Sequence, residues 1–272
     1  METLNSNQLR SLQLDILDYV SSFCDQNKIR YWITDGTLLG AIRHGGYIPW
    51  DDDIDIGMLR DDYDIFQKQF IDGGRYIFKS VEVDSRYPLQ MGKVLDTYTD
   101  LYEPNREIGY KICVNIDVFV YDNIPEDFDS AMKMYDKRDF WKHWRTLQRS
   151  TNHRGNVFRK FAVSCFGKCL RIIPASFFAK RIVANSKSYN KQETKYVGDV
   201  TGDYRVQIDR SIFDDLIDVK FEGRAYKAPR QYDYFLTKIY GDYMKLPPEN
   251  KRISTHGFEA YYIGNSNSSN IR

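Results

Sequence analysis

Closely spaced carboxylates in residues 51–56, with the sequence DDDIDI, are the side chains best suited to chemistry in this chain. In a β-strand, residues two apart point to the same face, so Asp53 and Asp55 would share one face and the isoleucines would point into a core. Carboxylates this close repel each other, and a divalent cation removes that repulsion. Oxygen ligands suit Mg²⁺, with Mn²⁺ as the alternative. The spacing therefore predicts a metal site at Asp53 and Asp55, supported by Asp51 and Asp52.

A second alternating segment supplies a third carboxylate. Residues 114–120 place isoleucine and valines on one face and Asp117 on the other. If this strand lies beside the acidic one, three carboxylates meet. Phosphoryl and nucleotidyl transfer use such sets to hold metal ions, and one carboxylate can accept the proton of an attacking hydroxyl. We therefore predict Asp53, Asp55 and Asp117 as both the catalytic and the metal-binding residues.

A glycine-bearing segment, residues 35–46, precedes the acidic run. Backbone N–H groups at a helix N-terminus bind anions, and glycine lets a phosphate come close. It is not a Walker loop, because no Gly-Lys-Ser/Thr follows. Arg43 would add a bidentate contact to the phosphate. For Asp35, a hydrogen bond to the turn backbone is favoured over metal binding. The predicted substrate-binding residues are Asp35, Gly36, Thr37, Gly40 and Arg43.

Other metal-binding motifs fit the acidic run less well. An EF-hand loop starting at Asp51 would need glycine at its sixth position and glutamate at its twelfth, where the chain has Ile56 and Asp62. A sugar-nucleotide glycosyltransferase, in which an Asp-x-Asp motif holds Mn²⁺ under a diphosphate, stays open as an alternative. A non-catalytic, metal-dependent binding protein is the second alternative.

Composition limits the partners and the compartment. The chain has 272 residues and a net charge of +1, which predicts no nucleic-acid partner. Its four cysteines form no CxxC pair, as expected for reduced thiols in a cytoplasmic protein. The first residues lack a signal-peptide pattern, and no apolar stretch is long enough to span a bilayer.

Helices and strands must hold these side chains in place. Periodicity predicts helices at 8–28, 38–42, 61–70, 127–149, 157–191 and 231–240. Extended segments are predicted at 30–34, 51–56, 76–83, 89–95, 98–103, 112–121, 196–200 and 219–227, with Gly57 closing the acidic strand.

The middle region, residues 157–183, mixes basic residues with large apolar ones. A basic amphipathic helix of this kind can lie on an anionic membrane surface. The alternative is a helix packed on the catalytic domain, with lysine and arginine stems covering apolar surface.

Residues 35–57 closely resemble the LicD family of phosphocholine-type transferases, which is related to fukutin and fukutin-related protein. A second match lies in the segments 228–236, 240–244 and 246–248. The resemblance extends over roughly residues 8–120 and 195–258, and the first motif is long and specific.

The resemblance implies an α+β fold, a nucleotidyltransferase-like mixed sheet with flanking helices and a helical insertion. Residues 1–126 would form the catalytic core, 127–194 the insertion and 195–264 the C-terminal part of the catalytic domain. The low-complexity composition of residues 265–272 predicts a disordered tail. In that superfamily a glycine-bearing helix precedes an Asp-x-Asp strand and a later strand adds a third aspartate. These would be Gly40, Asp53 with Asp55, and Asp117.

The resemblance also implies a CDP-alcohol donor, such as CDP-choline or a CDP-alditol. The acceptor would be a hydroxyl of a cell-surface glycan or lipid-linked precursor at the inner face of the membrane. Mg²⁺ would bridge the donor diphosphate, and CMP would leave. Arg43 and Lys93 would neutralise phosphate charge, although Lys93 has a surface lysine as its alternative. Asp242, Arg252 and His256 would contact the substrate. Helix capping is the alternative for Asp242, and a structural role is the alternative for His256.

Overall fold

The computed structural model describes residues 2–70, 74–102, 112–149, 170–253 and 258–264. The helices in these ranges are α1 (Ser6–Asn27), α2 (Asp35–His44), α3 (Arg60–Gln69), α4 (Phe128–Arg149), α5 (Ala175–Ser186) and α6 (Tyr232–Tyr240). The strands are β1 (Glu2–Leu4), β2 (Trp32–Ile33), β3 (Asp55–Leu59), β4 (Tyr76–Lys79), β5 (Gly92–Asp96), β6 (Thr99–Tyr102), β7 (Asn115–Asn123), β8 (Tyr196–Gly198), β9 (Ile208–Asp209), β10 (Leu216–Phe221), β11 (Arg224–Pro229) and β12 (Glu259–Tyr262). The predicted α+β class with a mixed sheet and flanking helices is confirmed.

The central sheet has the order β2-β3-β7-β5-β4, and β8 and β9 extend it from the far end of β7. Strands β3 and β7 are parallel, while the other neighbours in the sheet are antiparallel. A small sheet, β1-β12-β6, joins both ends of the described chain. Strand β8, from the predicted C-terminal part, thus pairs directly with a core strand. The predicted domain boundaries themselves stay predictions.

Helix α1 covers the sheet because its apolar residues recur at helical spacing. Ile16, Leu17 and Val20 are fully buried against the core. A capping box starts the helix: the Gln8 amide N–H donates to the Asn5 side chain at 3.0 Å, and the Asn5 amide N–H donates to the Gln8 side chain at 2.9 Å. The cap satisfies N–H groups that a helix start leaves unpaired.

The acidic strand starts later than the sequence predicts. Strand β3 begins at Asp55, and residues 51–54 precede it without strand pairing. Side chains of helix α1 take the place of a strand partner. Arg10 donates to the Asp51 carbonyl at 2.7 Å, and Gln13 donates to the Asp52 carbonyl at 2.8 Å. These contacts from α1 satisfy the carbonyls of Asp51 and Asp52 in place of a neighbouring strand.

Gly57 lies inside β3, so the prediction that it closes the strand is wrong. The Trp32 side chain of the neighbouring strand packs against it, and a Cβ there would lie 2.7 Å from the indole nitrogen. Glycine is therefore required by close packing at this position. The extended segment predicted at 219–227 is likewise two strands. Glu222 and Gly223, with φ of 50° and 76°, form the tight turn of the β10–β11 hairpin.

Helices α4 and α5 of the middle region pack against each other. In α5, Phe178 and Ile182 are buried, and the guanidinium of Arg181 lies over the ring of Trp141 on α4 at 5.9 Å. This part fits the packed-helix alternative. The rest of the basic amphipathic region, 157–169, lies outside the described residues, as does the predicted tail 265–272. Within the described ranges, no helix combines the length and apolarity needed to cross a bilayer.

Candidate active site

Two parallel strands bring the predicted carboxylates together. The β3–β7 register sets Asp55 directly opposite Asp117, and the Asp117 amide N–H donates to the Ile54 carbonyl at 2.8 Å. The Asp55 amide N–H donates to the Thr37 hydroxyl at 2.8 Å, which ties the strand start to helix α2. Asp53, Asp55 and Asp117 line one cavity. The structure therefore shows the predicted convergence, while the catalytic and metal-binding roles stay predictions.

The cavity has a volume of about 730 Å³ and a strongly acidic wall. Its described lining includes three basic residues, Arg43, Lys245 and Lys251, and aromatic rings from Trp50, Phe119, Tyr204, Tyr240 and Tyr243. Seven aspartates outnumber those cations: Asp35, Asp51, Asp53, Asp55, Asp117, Asp203 and Asp242. The excess of negative charge predicts that the site works with a cation bound.

Two of these carboxylates are buried without compensation. Asp35 is 9% exposed and Asp55 is 8% exposed. Neither side chain has a hydrogen-bond or ion-pair partner among the described residues. Burial, followed by the neighbouring carboxylates, raises the pKa of each well above its usual value. For Asp55 those neighbours include Asp53 and Asp117. Ionising these two buried carboxylates is unfavourable in the protein alone, so a cation that neutralises them would bind favourably.

The donor set fits a hard divalent ion. Ligand oxygens of Asp51, Asp52 and Asp53 lie within 4.8 Å of one another. Together with the buried Asp55 carboxylate they offer only oxygen atoms, the ligands that Mg²⁺ and Mn²⁺ prefer. Asp51 and Asp52, to which the sequence gives supporting roles, thus lie close enough to Asp53 to share an ion with it.

Lys93 faces the third carboxylate. Its ammonium forms an ion pair with Asp117 and donates to the Asn115 side chain at 2.9 Å. The Lys93 side chain is 16% exposed, so the surface-lysine alternative is wrong. Lys93 lines a smaller cavity of about 270 Å³, which adjoins the main one through Asp53 and Asp117. Its ion pair with Asp117 therefore links it to the main cavity.

Helix α2 supplies the residues predicted to contact the donor. Asp35 and Gly36 line the main cavity, and a Cβ at Gly36 would lie 2.5 Å from Asp51 Oδ2. Gly40 does not reach the lining, since it packs against the turn at Gly46, where a Cβ would lie 2.4 Å from the carbonyl oxygen. Gly40 therefore serves close packing, not the approach of a phosphate.

Asp35 departs from its favoured sequence interpretation. In the described part of the chain, its side chain makes no hydrogen bond to the turn backbone, so that interpretation is wrong. Its φ of 45° is also unusual for a non-glycine residue. A strained, buried carboxylate facing a cavity is typical of a functional site, because the surrounding structure must hold it there.

The remaining predicted contacts come from the C-terminal part. Arg43 lines the cavity and donates to the Tyr243 carbonyl at 2.7 Å, and burial lowers its pKa. Asp242 also lines the cavity. Arg252 instead donates to the Pro247 carbonyl at 2.8 Å and lies outside the described lining. His256 falls outside the described residues.

The loop at residues 199–204 is a wall of the site that the sequence analysis missed. Asp199 accepts hydrogen bonds from the backbone N–H groups of Thr201 and Gly202, at 2.9 and 2.8 Å. This turn presents Asp203 and Tyr204 to the cavity. The cluster Thr-Gly-Asp after a strand is a turn signal, but only the fold shows what it faces.

Helix α4 holds this loop in position. Arg138 is 1% exposed and donates to the carbonyls of Tyr204 at 2.8 Å and Asp203 at 3.3 Å. Lys142, one turn later, donates to the Gly202 carbonyl at 3.0 Å and pairs with the Asp203 side chain. The helix that the sequence assigns to an insertion therefore shapes the site.

Replacing Asp35 with asparagine is expected to raise the melting temperature of the metal-free protein at pH 8 and to leave it nearly unchanged at pH 4. Because the Asp35 pKa is raised in the folded state, the unfolded chain releases its proton first, and stability falls as the pH rises above about 3.9. Asparagine carries no charge and tolerates a positive φ. Each kcal/mol recovered should add about 2–4 °C.

Scanning calorimetry in EDTA at both pH values measures this difference. The matched control is Asp61→Asn, a side chain that is 79% exposed. Equal shifts at pH 4 and pH 8 would contradict a raised Asp35 pKa.

Comparison with known proteins agrees with this geometry. A family model described as the LicD/FKTN/FKRP nucleotidyltransferase domain matches residues 28–144. The lipopolysaccharide cholinephosphotransferase LicD of Haemophilus influenzae is 30% identical over 278 residues, which cover 97% of this chain and 100% of that protein. The human ribitol 5-phosphate transferase FKRP is 44% identical over 54 residues, 20% of this chain and 11% of that protein.

The fold, the carboxylate site and these matches define an enzyme that transfers substituted phosphate groups. The chain belongs to the LicD family. Family membership favours phosphotransfer over the glycosyltransferase and the non-catalytic alternatives.

Proposed function

We propose that this protein transfers a phospho-alcohol group, phosphocholine or an alditol phosphate, from a CDP-activated donor to a hydroxyl of a cell-surface glycan or lipid-linked precursor. The observation that carries the proposal is the meeting of Asp53, Asp55 and Asp117 in a cavity of about 730 Å³. Similarity to a cholinephosphotransferase over nearly the whole chain supports the phospho-alcohol as the group that moves.

Some residues of the site would neutralise phosphate charge, and a carboxylate would accept a proton. When bound at Asp53, Asp55 and Asp117, Mg²⁺ or Mn²⁺ would neutralise the donor diphosphate. Arg43, on the same cavity wall, adds positive charge for the phosphates. The acceptor oxygen bonds to the phosphorus that carries the alcohol, the bond from that phosphorus to CMP breaks, and a site carboxylate takes the hydroxyl proton.

The acceptor sets the location that we propose. A lipid-linked glycan precursor would be met on the cytoplasmic side, at the inner face of the membrane. Peripheral contact through the basic amphipathic residues 157–183 would suit such an acceptor.

Product analysis tests the proposed reaction. The purified protein is incubated with Mg²⁺, a glycolipid acceptor extract and, in turn, CDP-choline, CDP-ribitol, CDP-glycerol and UDP-sugars. We expect CMP and a phosphodiester product from at least one CDP-alcohol. The proposal would be contradicted if a UDP-sugar gave UDP and a glycoside while none of the CDP-alcohols reacted. Heat-inactivated protein is the control for hydrolysis of the donors.

A further inference from the structure

The wall of the main cavity carries a carboxylate that the predicted metal ligands do not include. This is Asp35, whose pKa burial raises first and the carboxylates of Asp199, Asp53 and Asp203 raise further. Within the described residues, the carboxylate oxygens that cluster as a metal site belong to residues 51–53, and Asp35 is not among them. Mg²⁺ usually takes only one or two protein carboxylates. A further cation would therefore be well placed beside Asp35.

Asp35 is built to face a ligand. The residue is more than nine-tenths buried and lines the cavity, and its side chain has no hydrogen-bond or ion-pair partner in the part of the chain that the structure describes. An unpaired buried carboxylate is costly, so the fold must compensate for it elsewhere. A bound positive group would remove that cost.

Two aromatic rings line the same cavity as Asp35. Tyr204, from the loop held by α4, and Tyr240, from the end of α6, both line it. Their ring centroids lie 5.3 Å apart with an interplanar angle of 76°. After burial, Asp35 is the group that most raises the pKa of each tyrosine, and it lines the same cavity as both.

We propose that Asp35, Tyr204 and Tyr240 form a subsite for the cationic end of the transferred alcohol, a quaternary ammonium group. Such a group has no N–H to donate, so it is recognised by aromatic rings and a nearby carboxylate, not by a hydrogen-bond network. This inference rests on the proposed function and goes beyond it, because it assigns the residues that choose a choline-type alcohol over a neutral alditol.

The subsite also gives the loop at residues 199–204 a purpose. Arg138 and Lys142 fix its carbonyls from α4, so Tyr204 is held in position before a ligand arrives. Pre-organisation of this kind lowers the cost of binding. Selectivity for the alcohol would then depend on contacts that lie apart from the metal-binding carboxylates.

The test compares two substrates within each protein preparation. Because the result is a ratio, a lower fraction of folded enzyme in one variant does not affect it. The ratio of kcat/KM for CDP-choline to that for CDP-glycerol is measured for the wild type, Asp35→Asn, Tyr204→Leu and Tyr240→Leu. We expect a wild-type ratio above one, which falls about 3- to 30-fold in each variant. Tyr204→Phe and Tyr240→Phe, which keep the rings, should retain most of it. The exposed Tyr102→Leu is the control, with an unchanged ratio.

A ratio that stays at the wild-type value in all three variants would overturn the subsite, and so would a wild-type preference for CDP-glycerol. Calorimetric binding of tetramethylammonium in Mg²⁺ buffer separates the subsite from the reaction. If the wild type binds tetramethylammonium and Asp35→Asn does not, the subsite is supported. Absence of turnover with every CDP-alcohol would refute only the proposed function. Displacement of tetramethylammonium by excess Mg²⁺ would place a second metal ion at Asp35 and overturn the inference.

Discussion

Asp55→Asn is expected to reduce kcat by on the order of a hundred- to a thousandfold, the usual cost of removing a group that stabilises transition-state charge. The carboxylate lies at the start of β3, opposite Asp117 on the parallel neighbour, with no protein partner of its own among the described residues. Asparagine has the same shape but removes the charge that would hold a divalent ion. Initial rates of CMP release with saturating donor measure the change.

The fold should survive this substitution. Burial and neighbouring carboxylates raise the Asp55 pKa, so the charged group destabilises the metal-free protein. Without Mg²⁺, the variant should therefore melt at the same temperature as the wild type or higher. Asp61→Asn, at an exposed position on α3, is the matched control and should retain wild-type activity. Wild-type turnover in Asp55→Asn would exclude the carboxylate from the mechanism.

Asp122→Asn is expected to lower the free energy of unfolding by about 3–5 kcal/mol, the cost of breaking a buried ion pair. Asp122 is fully buried at the end of β7. It accepts two hydrogen bonds from the Arg60 guanidinium, at 2.7 and 2.8 Å, and others from Ser186 and Asn190. The substitution leaves the Arg60 charge buried with less compensation, although Glu82 still accepts from it at 3.0 Å.

Urea denaturation of both proteins gives the difference in unfolding free energy. The matched control is Asp215→Asn in the exposed Asp215–Arg230 pair, whose side chains are 59% and 62% exposed. An exposed pair of this kind contributes far less to stability than a buried one. Equal losses in the two variants would show that burial does not set the strength of the Arg60–Asp122 pair.

The central pair of carboxylates could be predicted from sequence because strand geometry is local. Alternation in residues 114–120 is enough to place Asp117 on the face opposite the core, and the parallel register then brings it to Asp55. The start of β3 could not be predicted in this way. It depends on Arg10 and Gln13, which reach the acidic run from a helix about 40 positions earlier in the chain.

Tyr204 and Tyr240 could not be predicted as cavity residues for the same reason. Arg138, 66 positions earlier, binds the carbonyl of Tyr204 and holds that residue at the cavity wall, while Tyr240 reaches the wall from the end of α6. Such pairings leave no periodic signal in the sequence. Gly40 shows the converse error, because a glycine pattern that suits phosphate binding serves close packing against Gly46 instead.

Calorimetric titration of CDP-choline into the wild-type protein, with excess Mg²⁺ and with EDTA, tests the central claim most directly. If Asp53, Asp55 and Asp117 hold a divalent ion against the donor diphosphate, the donor should bind with Mg²⁺ and lose most of its affinity in EDTA. The described lining of the cavity carries seven aspartates against three basic residues, so a diphosphate without a cation meets net repulsion there. Equal affinity under the two conditions would contradict a metal-dependent phosphotransfer site.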